Sequence, residues 1–271
     1  MKIIAEIGWN FLGDMDLAYE MIDKAKESGA NVVKFQYWDP GFLSAGPWDN
    51  DGRKEIYNKA ALDESKINDL SNYSKKIKID CLFSVFTLKA AKFIKSLGHK
   101  IIKIPSHEIS NYKLLEYVSE NFDEVLVSTG ASYENEILKV ISIMNEGKAN
   151  YNLMHCVSSY PCTEENVNLP RLNWLKILHN KIGFSDHTKS TLTPSIAVSL
   201  GAEIIEKHFT SDNSLPGRDN KFALNPLEFK EMTNNISETL KMLKYHGNNA
   251  QESENEIISL YRGRWGKDDY E

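Results

Sequence analysis

The sequence lacks the features that mark membrane, secreted and nucleic-acid-binding proteins. Its longest apolar runs, such as EVLVSTGA, are far shorter than the roughly 20 residues that cross a bilayer. Acidic residues outnumber basic ones, 38 against 32, so the net charge of −6 argues against nucleic acid or an anionic membrane as a partner. Three cysteines form no even disulfide framework, and the N-terminus MKIIAEIG carries no signal-peptide pattern. We therefore expect a cytoplasmic protein with reduced thiols.

The sequence does contain a regular alternation of short β-rich runs and longer amphipathic segments. Eight strand candidates occur at residues 2–8, 31–36, 79–85, 100–104, 124–129, 151–156, 181–185 and 203–208. Strands that are apolar on both faces, each followed by a helical segment, are typical of a parallel sheet covered by helices. Eight such units predict an α/β fold, a single (β/α)8 TIM barrel over residues 1–246. An open doubly wound sheet is the alternative, but no G-x-G-x-x-G follows the first strand.

Two segments lie outside this repeat. Residues 37–62 form a long loop rich in Gly, Pro and Asp, and loops of that length in a compact barrel are usually functional. Residues 247–271 are polar, and we expect a short C-terminal tail that is partly ordered at most. Within this tail the piece NEIISLYRGRW is a candidate for one more docked helix.

Polar residues at the carboxyl ends of the strands carry the functional information, because TIM barrels place their active sites there. Lys34 and Lys103 lie within strands and, with serines at other strand ends, suggest a site for a dianion such as phosphate. A single lysine in a strand is more often a snorkelling edge residue. Two such lysines together with the serines are harder to explain in this way, because a charge buried inside a parallel strand is costly unless it is paired or binds a ligand.

Two similar motifs, IGFSDHT at 182–188 and IIEKHFT at 204–210, each end an apolar run in a histidine. One histidine at a strand end is more often a hydrogen-bonded structural residue. Two from adjacent strands, His187 and His208, can hold a divalent metal and leave positions open for substrate and water. Glu6 and Glu108 are then the candidates for proton transfer.

Several motifs, in order over roughly residues 3 to 240, resemble the N-acylneuraminate (sialic acid) synthase family. They are IAEIGWNFLGDMDLAYEMIDKAKESGANVVKFQ, IIKIPSHEISNYKLLEYV, VSTGASYENEI, MHCVSSYPCTEENVNL, IGFSDHT and IEKHFTSDNSLPGRDNKFALNPLEF. The resemblance implies a condensing synthase that joins phosphoenolpyruvate to an N-acyl aminosugar aldehyde similar to N-acetylmannosamine. The products would be a sialic-acid-like nonulosonic acid and phosphate.

The resemblance also implies residue roles. It places a divalent metal on His187 and His208, with Mn²⁺ preferred over Mg²⁺ or Co²⁺, and gives catalytic roles to Glu6 and Glu108. The residues that match the phosphoenolpyruvate site are Lys34, Lys103, Ser106, Ser128, Ser158 and Ser185. The residues that match the sugar side of the pocket are Gln36, Tyr160 and Asp219.

The sequence departs from the family pattern at three points. Family members carry a C-terminal antifreeze-like domain that supplies an arginine to the sugar's N-acyl group, and these residues contain no counterpart of it. The partner can therefore be a second copy of the chain, in a homodimer, or a separate cap-domain protein. Val85 stands where the family's third-strand motif has a threonine that helps to hold phosphoenolpyruvate. Trp9 and Phe11 are larger than the usual residues and predict a changed or narrowed pocket mouth.

Three functions therefore remain open. The first is the synthase. The second is a barrel that binds phosphoenolpyruvate or a sugar without turnover, which Val85 and the absent domain motivate. The third is a metal-dependent aldolase that acts on a different small aldehyde, since one barrel fold supports many chemistries.

Overall fold

The computed structural model describes residues 1–265 and shows a closed barrel of parallel strands that follow one another in chain order. The strands are β1 (Lys2–Gly8), β2 (Val32–Tyr37), β3 (Asp80–Val85), β4 (Ile101–Ile104), β5 (Glu124–Ser128), β6 (Asn150–Cys156), β7 (Ile182–Asp186) and β8 (Ile204–His208). Strand β8 closes the barrel against β1, with His208 opposite Glu6. The predicted TIM barrel is confirmed, and each predicted strand boundary lies within one residue of the observed one.

Helices connect the strands on the outside of the barrel. Those in the described residues are α1 (Met15–Glu27), α2 (Arg53–Ala60), α3 (Glu64–Ile77), α4 (Leu88–Ser96), α5 (Tyr112–Asn121), α6 (Glu134–Glu146), α7 (Arg171–Leu178), α8 (Thr193–Ser199) and α9 (Pro226–Met242). Local capping explains several of these boundaries. The side chain of Asp14, for example, accepts hydrogen bonds from the backbone N–H groups of Asp16 and Leu17 and so starts α1.

The long segment after β2 is structured. It contains two short 3₁₀ turns, Pro40–Phe42 and Pro47–Asp49, followed by α2. This segment packs over the carboxyl end of the barrel, where Trp38 and Tyr57 meet Trp9. The sequence predicted its position but not its helix.

The main apolar core lies between the strands and the surrounding helices. Val85 and Phe11 belong to this outer core, and both are fully buried there. The expectation that Phe11 narrows the pocket mouth is therefore wrong. The loss of a hydroxyl at Val85 also removes nothing from the barrel interior, because that side chain faces the helices.

The region after α9 is exposed as far as the structure describes it. One π-helical turn, Ile257–Tyr261, leaves Ile257 and Leu260 largely open to solvent, so this part of the tail does not pack as a further docked helix. Residues 266–271 lie outside the described residues, and the boundary predicted at 246 stays a prediction. In the described part of the chain, every helix is too short or too polar to cross a bilayer.

Candidate active site

The barrel interior is built in layers, because alternate side chains of each strand point inward. The lower layer is apolar and consists of Ile4, Val32, Leu82, Leu126, Met154 and Ile204. Two residues further along each of these strands, toward the carboxyl ends, the inward positions are polar. They are Glu6, Lys34, Ser84, Ser128, Cys156 and Glu206, and Lys103 of β4 and Ser185 of β7 join them. The period-2 pattern thus places an ionic layer directly on an apolar floor.

Two lysines and two glutamates of this layer form a buried chain of ion pairs. Lys34 Nζ lies 3.0 Å from Glu6 Oε2 and 3.5 Å from Glu206 Oε1. Lys103 Nζ lies 2.6 Å from Glu206 Oε2. All four side chains are almost completely buried. Two positive charges face two negative ones, so the layer as a whole is neutral. The attraction between these charges offsets part of the free-energy cost of removing them from water.

The pKa values in this chain follow from burial and pairing. Burial alone would raise the pKa of Glu206, but the ammonium groups of Lys103 and Lys34 outweigh it and hold the pKa at about 2. For Lys103 burial dominates and lowers the pKa, although Glu206 opposes it. For Glu6 burial also dominates and raises the pKa against the attraction of Lys34. Glu6 is therefore the member of the chain that most readily takes up a proton.

Serine hydroxyls extend the ionic layer. Lys103 Nζ donates to Ser185 Oγ at 3.1 Å, and Ser185 Oγ lies 3.3 Å from Ser128 Oγ. Ser106 and Ser158 converge over Gly130, where a Cβ atom would lie only 2.7 Å and 2.5 Å from their Oγ atoms. The six residues predicted to bind phosphoenolpyruvate are thus brought to one end of the barrel. Their role stays a prediction.

The two predicted metal ligands lie side by side. The ring centroids of His187 and His208 are 5.4 Å apart, and the Tyr160 ring lies 4.1 Å from that of His187. His187 Nδ1 is 2.8 Å from the carbonyl oxygen of Val157. Since a carbonyl only accepts, Nδ1 carries the proton, and in the neutral ring Nε2 keeps a lone pair.

His208 is also suited to ligation. Burial, reinforced by the neighbouring His187, lowers its pKa well below the ordinary value of 6.5, so the ring is neutral at neutral pH. Its Nδ1 atom is buried without a hydrogen-bond partner and lies 4.0 Å from an Asp219 carboxylate oxygen. Imidazole nitrogens bind transition metals about 2.1 Å away, and a centroid separation of 5.4 Å is short enough for both rings to reach one ion.

Within residues 1–265 no group of three or more His, Cys, Asp or Glu side chains is placed to hold a metal ion. An ion bound by His187 and His208 alone would leave coordination positions open for water and substrate.

The two candidate catalytic carboxylates lie at different depths. Glu6 belongs to the buried ionic layer and accepts a hydrogen bond from Gln36 Nε2 at 2.8 Å. Glu108 lies in a 3₁₀ turn, Ser106–Glu108, and is half-buried at the rim, where Asn111 Nδ2 donates to it at 3.0 Å. Burial raises the pKa of Glu108. Burial therefore shifts the pKa of both carboxyl groups upward, in the direction that suits a proton donor or acceptor.

A cavity of about 590 Å³ opens above these groups. The residues predicted for the sugar side, Gln36, Tyr160 and Asp219, all line it together with Glu108 and His208. Burial, with a contribution from the charge of Glu6, raises the pKa of Asp219 to about 6. A volume of this size is typical of a small-molecule site.

Sequence reasoning missed several residues of the site. Glu206 was not singled out, although it lies two residues before His208 in the same strand and must face the same interior. The pairing of Asp186 with Lys207 and the ion pairs of Glu206 were also missed. Those contacts depend on tertiary packing, for which the sequence holds no local signal.

Comparisons with known proteins match this geometry to one family. The sequence profile of the NeuB family matches residues 21–248. An N,N'-diacetyllegionaminic acid synthase of Campylobacter jejuni is 33% identical over 275 residues, covering 96% of this chain and 82% of the relative. An uncharacterized protein of Methanocaldococcus jannaschii is 37% identical over 259 residues, covering 94% of this chain and 76% of the relative.

A solved structure shows the same likeness in three dimensions. The crystal structure of an N-acetylneuraminic acid (sialic acid) synthetase from Leptospira borgpetersenii, in complex with citrate, superposes with a TM-score of 0.87 at 34% identity. The match covers 97% of this chain and 91% of that one.

Proposed function

This chain belongs to the NeuB family, and from that membership we propose that it is a condensing synthase that joins phosphoenolpyruvate to an N-acyl aminosugar aldehyde. The products are a nonulosonic acid related to sialic acid and inorganic phosphate. The observation that carries the proposal is the buried chain of Glu6, Lys34, Glu206 and Lys103 beside two facing histidines. Family membership suggests the reaction, and this arrangement contains the carboxyl, ammonium and imidazole groups that the reaction needs.

The ionic layer is the proposed anion site. Lys34 and Lys103 would bind the phosphate and carboxylate of phosphoenolpyruvate, with Ser128 and Ser185 as additional donors. The layer is neutral before substrate arrives, and the raised pKa of Glu6 suits this carboxylate to accept a proton during the reaction. The same ammonium groups stabilise phosphate as it leaves, because they are fixed in place before the reaction begins.

The proposed proton transfers use the two carboxyl groups at different depths. Carbon 3 of phosphoenolpyruvate forms a bond to the aldehyde carbon, and the aldehyde oxygen takes a proton from Glu108 at the rim. Water then adds to carbon 2 and gives a proton to Glu6, and the loss of phosphate leaves the 2-keto acid. Each carboxyl thus acts on the side of the substrates that it faces.

A divalent metal, Mn²⁺ in preference to Mg²⁺ or Co²⁺, is part of this proposal. His187 and His208 would hold it, and when bound it polarises the aldehyde as a Lewis acid. Tyr160 packs against both imidazole rings and limits the access of water to them.

The direct test measures phosphate release from phosphoenolpyruvate in the presence of Mn²⁺ and a panel of N-acyl aminosugars. We expect release that requires both an aldehyde and the metal, is lost on chelation, and is lost in Lys103→Met. Activity with pyruvate but not with phosphoenolpyruvate would instead identify an aldolase. Metal-dependent binding of phosphoenolpyruvate without any product from the whole panel would identify a binding protein and contradict the synthase.

A further inference from the structure

One titratable side chain of the cavity, His107, takes no part in the proposed proton transfers. It lies in the 3₁₀ turn Ser106–Glu108, immediately before Glu108, and both side chains line the cavity. The His107 ring packs against the ring of Phe86, with centroids 5.2 Å apart and planes inclined by 34°. This contact holds the imidazole at the cavity rim, where His107 remains exposed to solvent.

The turn directs the side chains of His107 and Glu108 differently. A 3₁₀ helix has three residues per turn, so neighbouring side chains point about 120° apart around its axis. Both side chains nevertheless line the same cavity. They can therefore approach one ligand from two directions, which is what a step that needs an acid and a base at the same time requires.

The environments of the two groups suit opposite roles. Burial raises the pKa of Glu108, in the direction that suits a proton donor. Asn111 Nδ2 donates to Glu108 Oε2 at 3.0 Å, which leaves Oε1 as the oxygen that carries and donates a proton. Partial desolvation and the charge of Lys34 lower the pKa of His107, so its ring is mainly neutral at neutral pH and accepts a proton.

The proposed condensation depends on an earlier step that needs such a pair. An aminosugar with an aldehyde carbon exists in water almost entirely as a cyclic hemiacetal, in which that carbon is bonded to the ring oxygen and is not an electrophile. Opening the ring requires a base for the proton of the anomeric hydroxyl and an acid for the ring oxygen. Both oxygens are bonded to the same carbon, so two side chains of one turn can serve them.

We propose that His107 and Glu108 open the ring of the acceptor sugar, which gives the protein a second activity, the interconversion of sugar anomers. His107 takes the proton of the anomeric hydroxyl, the carbon–oxygen double bond of the aldehyde forms, and the bond from that carbon to the ring oxygen breaks. Glu108 gives its proton to the ring oxygen. The imidazolium then returns a proton to the Glu108 carboxylate through solvent at the rim, so the step consumes no co-reactant. The inference rests on the proposed function, since it takes the acceptor to be a cyclic aminosugar.

Anomer interconversion can be measured without condensation. The full chain is mixed with a freshly dissolved single anomer of N-acetylmannosamine, and the approach to the equilibrium of anomers is followed by ¹H NMR or polarimetry. The buffer contains EDTA, and the measurement is made with and without phosphoenolpyruvate. We expect the rate to rise above the buffer rate in proportion to the protein concentration. A rate equal to that of buffer at every protein concentration, in both conditions, would overturn the proposal.

Variants assign the activity to the turn. His107→Phe keeps a ring against Phe86 but removes the proton acceptor, and it should lower the protein-dependent rate by about a hundredfold, as should Glu108→Gln. His246→Asn is the control, because His246 is exposed and lies outside the cavity lining, and it should leave the rate unchanged. His107→Asn gives a second reading if His107→Phe fails to fold by circular dichroism. An unchanged rate in a folded His107 variant would exclude His107 as the base.

Ring opening and condensation can be told apart by two readouts. Faster anomer interconversion without phosphate release from phosphoenolpyruvate in the presence of Mn²⁺ would retain the ring-opening activity and exclude the synthase. Phosphate release without faster interconversion would retain the synthase and exclude ring opening by this protein.

Discussion

Asp186 and Lys207 form a buried ion pair, with Lys207 Nζ 2.6 Å from Asp186 Oδ2 and both side chains essentially inaccessible to solvent. Each of them immediately precedes one of the two facing histidines. Lys207 also donates to the carbonyl oxygens of Thr188 at 2.6 Å and Ser190 at 2.9 Å. The pair therefore ties the loop after β7 to β8, on the side of the strands opposite to the ionic layer.

Removing the cation of this pair should be strongly destabilising. In Lys207→Met the Asp186 carboxylate stays buried without its partner, and such losses typically cost about 3–5 kcal/mol. We expect the free energy of unfolding, measured by urea denaturation at pH 7, to fall by about this amount.

Lys100→Met is the matched control, because the pair that Lys100 forms with Asp123 is long, 3.7 Å, and exposed. Its effect should stay within about 0.5 kcal/mol. A loss in Lys207→Met no larger than in this control would mean that the Asp186–Lys207 pair does not stabilise the loop.

The fold was largely predictable because its signal is local and repeated. Eight apolar runs with helical segments between them define a barrel even when single boundaries shift. Two helices have a weak signal in the sequence for a physical reason. Helix α7 is eight residues long and buries only Leu172 and Leu175, and α2 buries only Ala60, so neither has an extended apolar stripe.

The sequence indicated which polar residues gather at the carboxyl end of the barrel, but not which of them are paired. Lys34, Lys103 and the two histidines stand out as polar residues at strand ends. The closure of the barrel determines the partner of each of these residues. It brings β8 beside β1 and places Glu206 close to both lysines. No local pattern in the sequence encodes contacts between residues that are more than 100 positions apart.

Stability should fall on mild acidification because of His155. Its Nε2 lies 2.8 Å from the carbonyl oxygen of Val167, and burial lowers its pKa to about 4 from an ordinary value of 6.5. Above pH 6.5 the ring is neutral in both states, and no penalty exists. Between pH 6.5 and 4 the unfolded chain takes up a proton that the folded one refuses, so stability falls by up to about 1.4 kcal/mol per pH unit.

Urea denaturation at several pH values measures this slope. His155→Gln replaces the ring with a side chain that donates to Val167 but does not titrate. Between pH 6.5 and 4 the unfolding free energy of this variant should depend less steeply on pH, by the amount that corresponds to about one proton. Identical slopes in the two proteins would assign the acid sensitivity to other groups.

Ser128→Ala should weaken phosphoenolpyruvate binding with little effect on folding. The hydroxyl lies in the ionic layer, 3.3 Å from Ser185 Oγ, and a hydrogen bond to a charged ligand contributes about 1.5–3 kcal/mol. The dissociation constant measured by calorimetry should rise by roughly 10- to 150-fold. Ser199→Ala, at an exposed position on α8, should leave it unchanged. A change below twofold in Ser128→Ala would place the anion elsewhere.

Gly130→Ala tests the convergence of Ser106 and Ser158. The φ angle of Gly130 lies outside the left-handed region, so the backbone conformation itself does not oppose alanine. The added Cβ would nevertheless lie 2.5 Å from Ser158 Oγ and 2.7 Å from Ser106 Oγ. Overpacking of this kind costs about 1–3 kcal/mol of stability, and the methyl group occupies the space proposed for phosphoenolpyruvate. Adding Ser158→Ala removes the closest contact and should recover part of the stability without restoring binding. If the double variant bound phosphoenolpyruvate as tightly as the native protein, the space above Gly130 would not be part of the anion site.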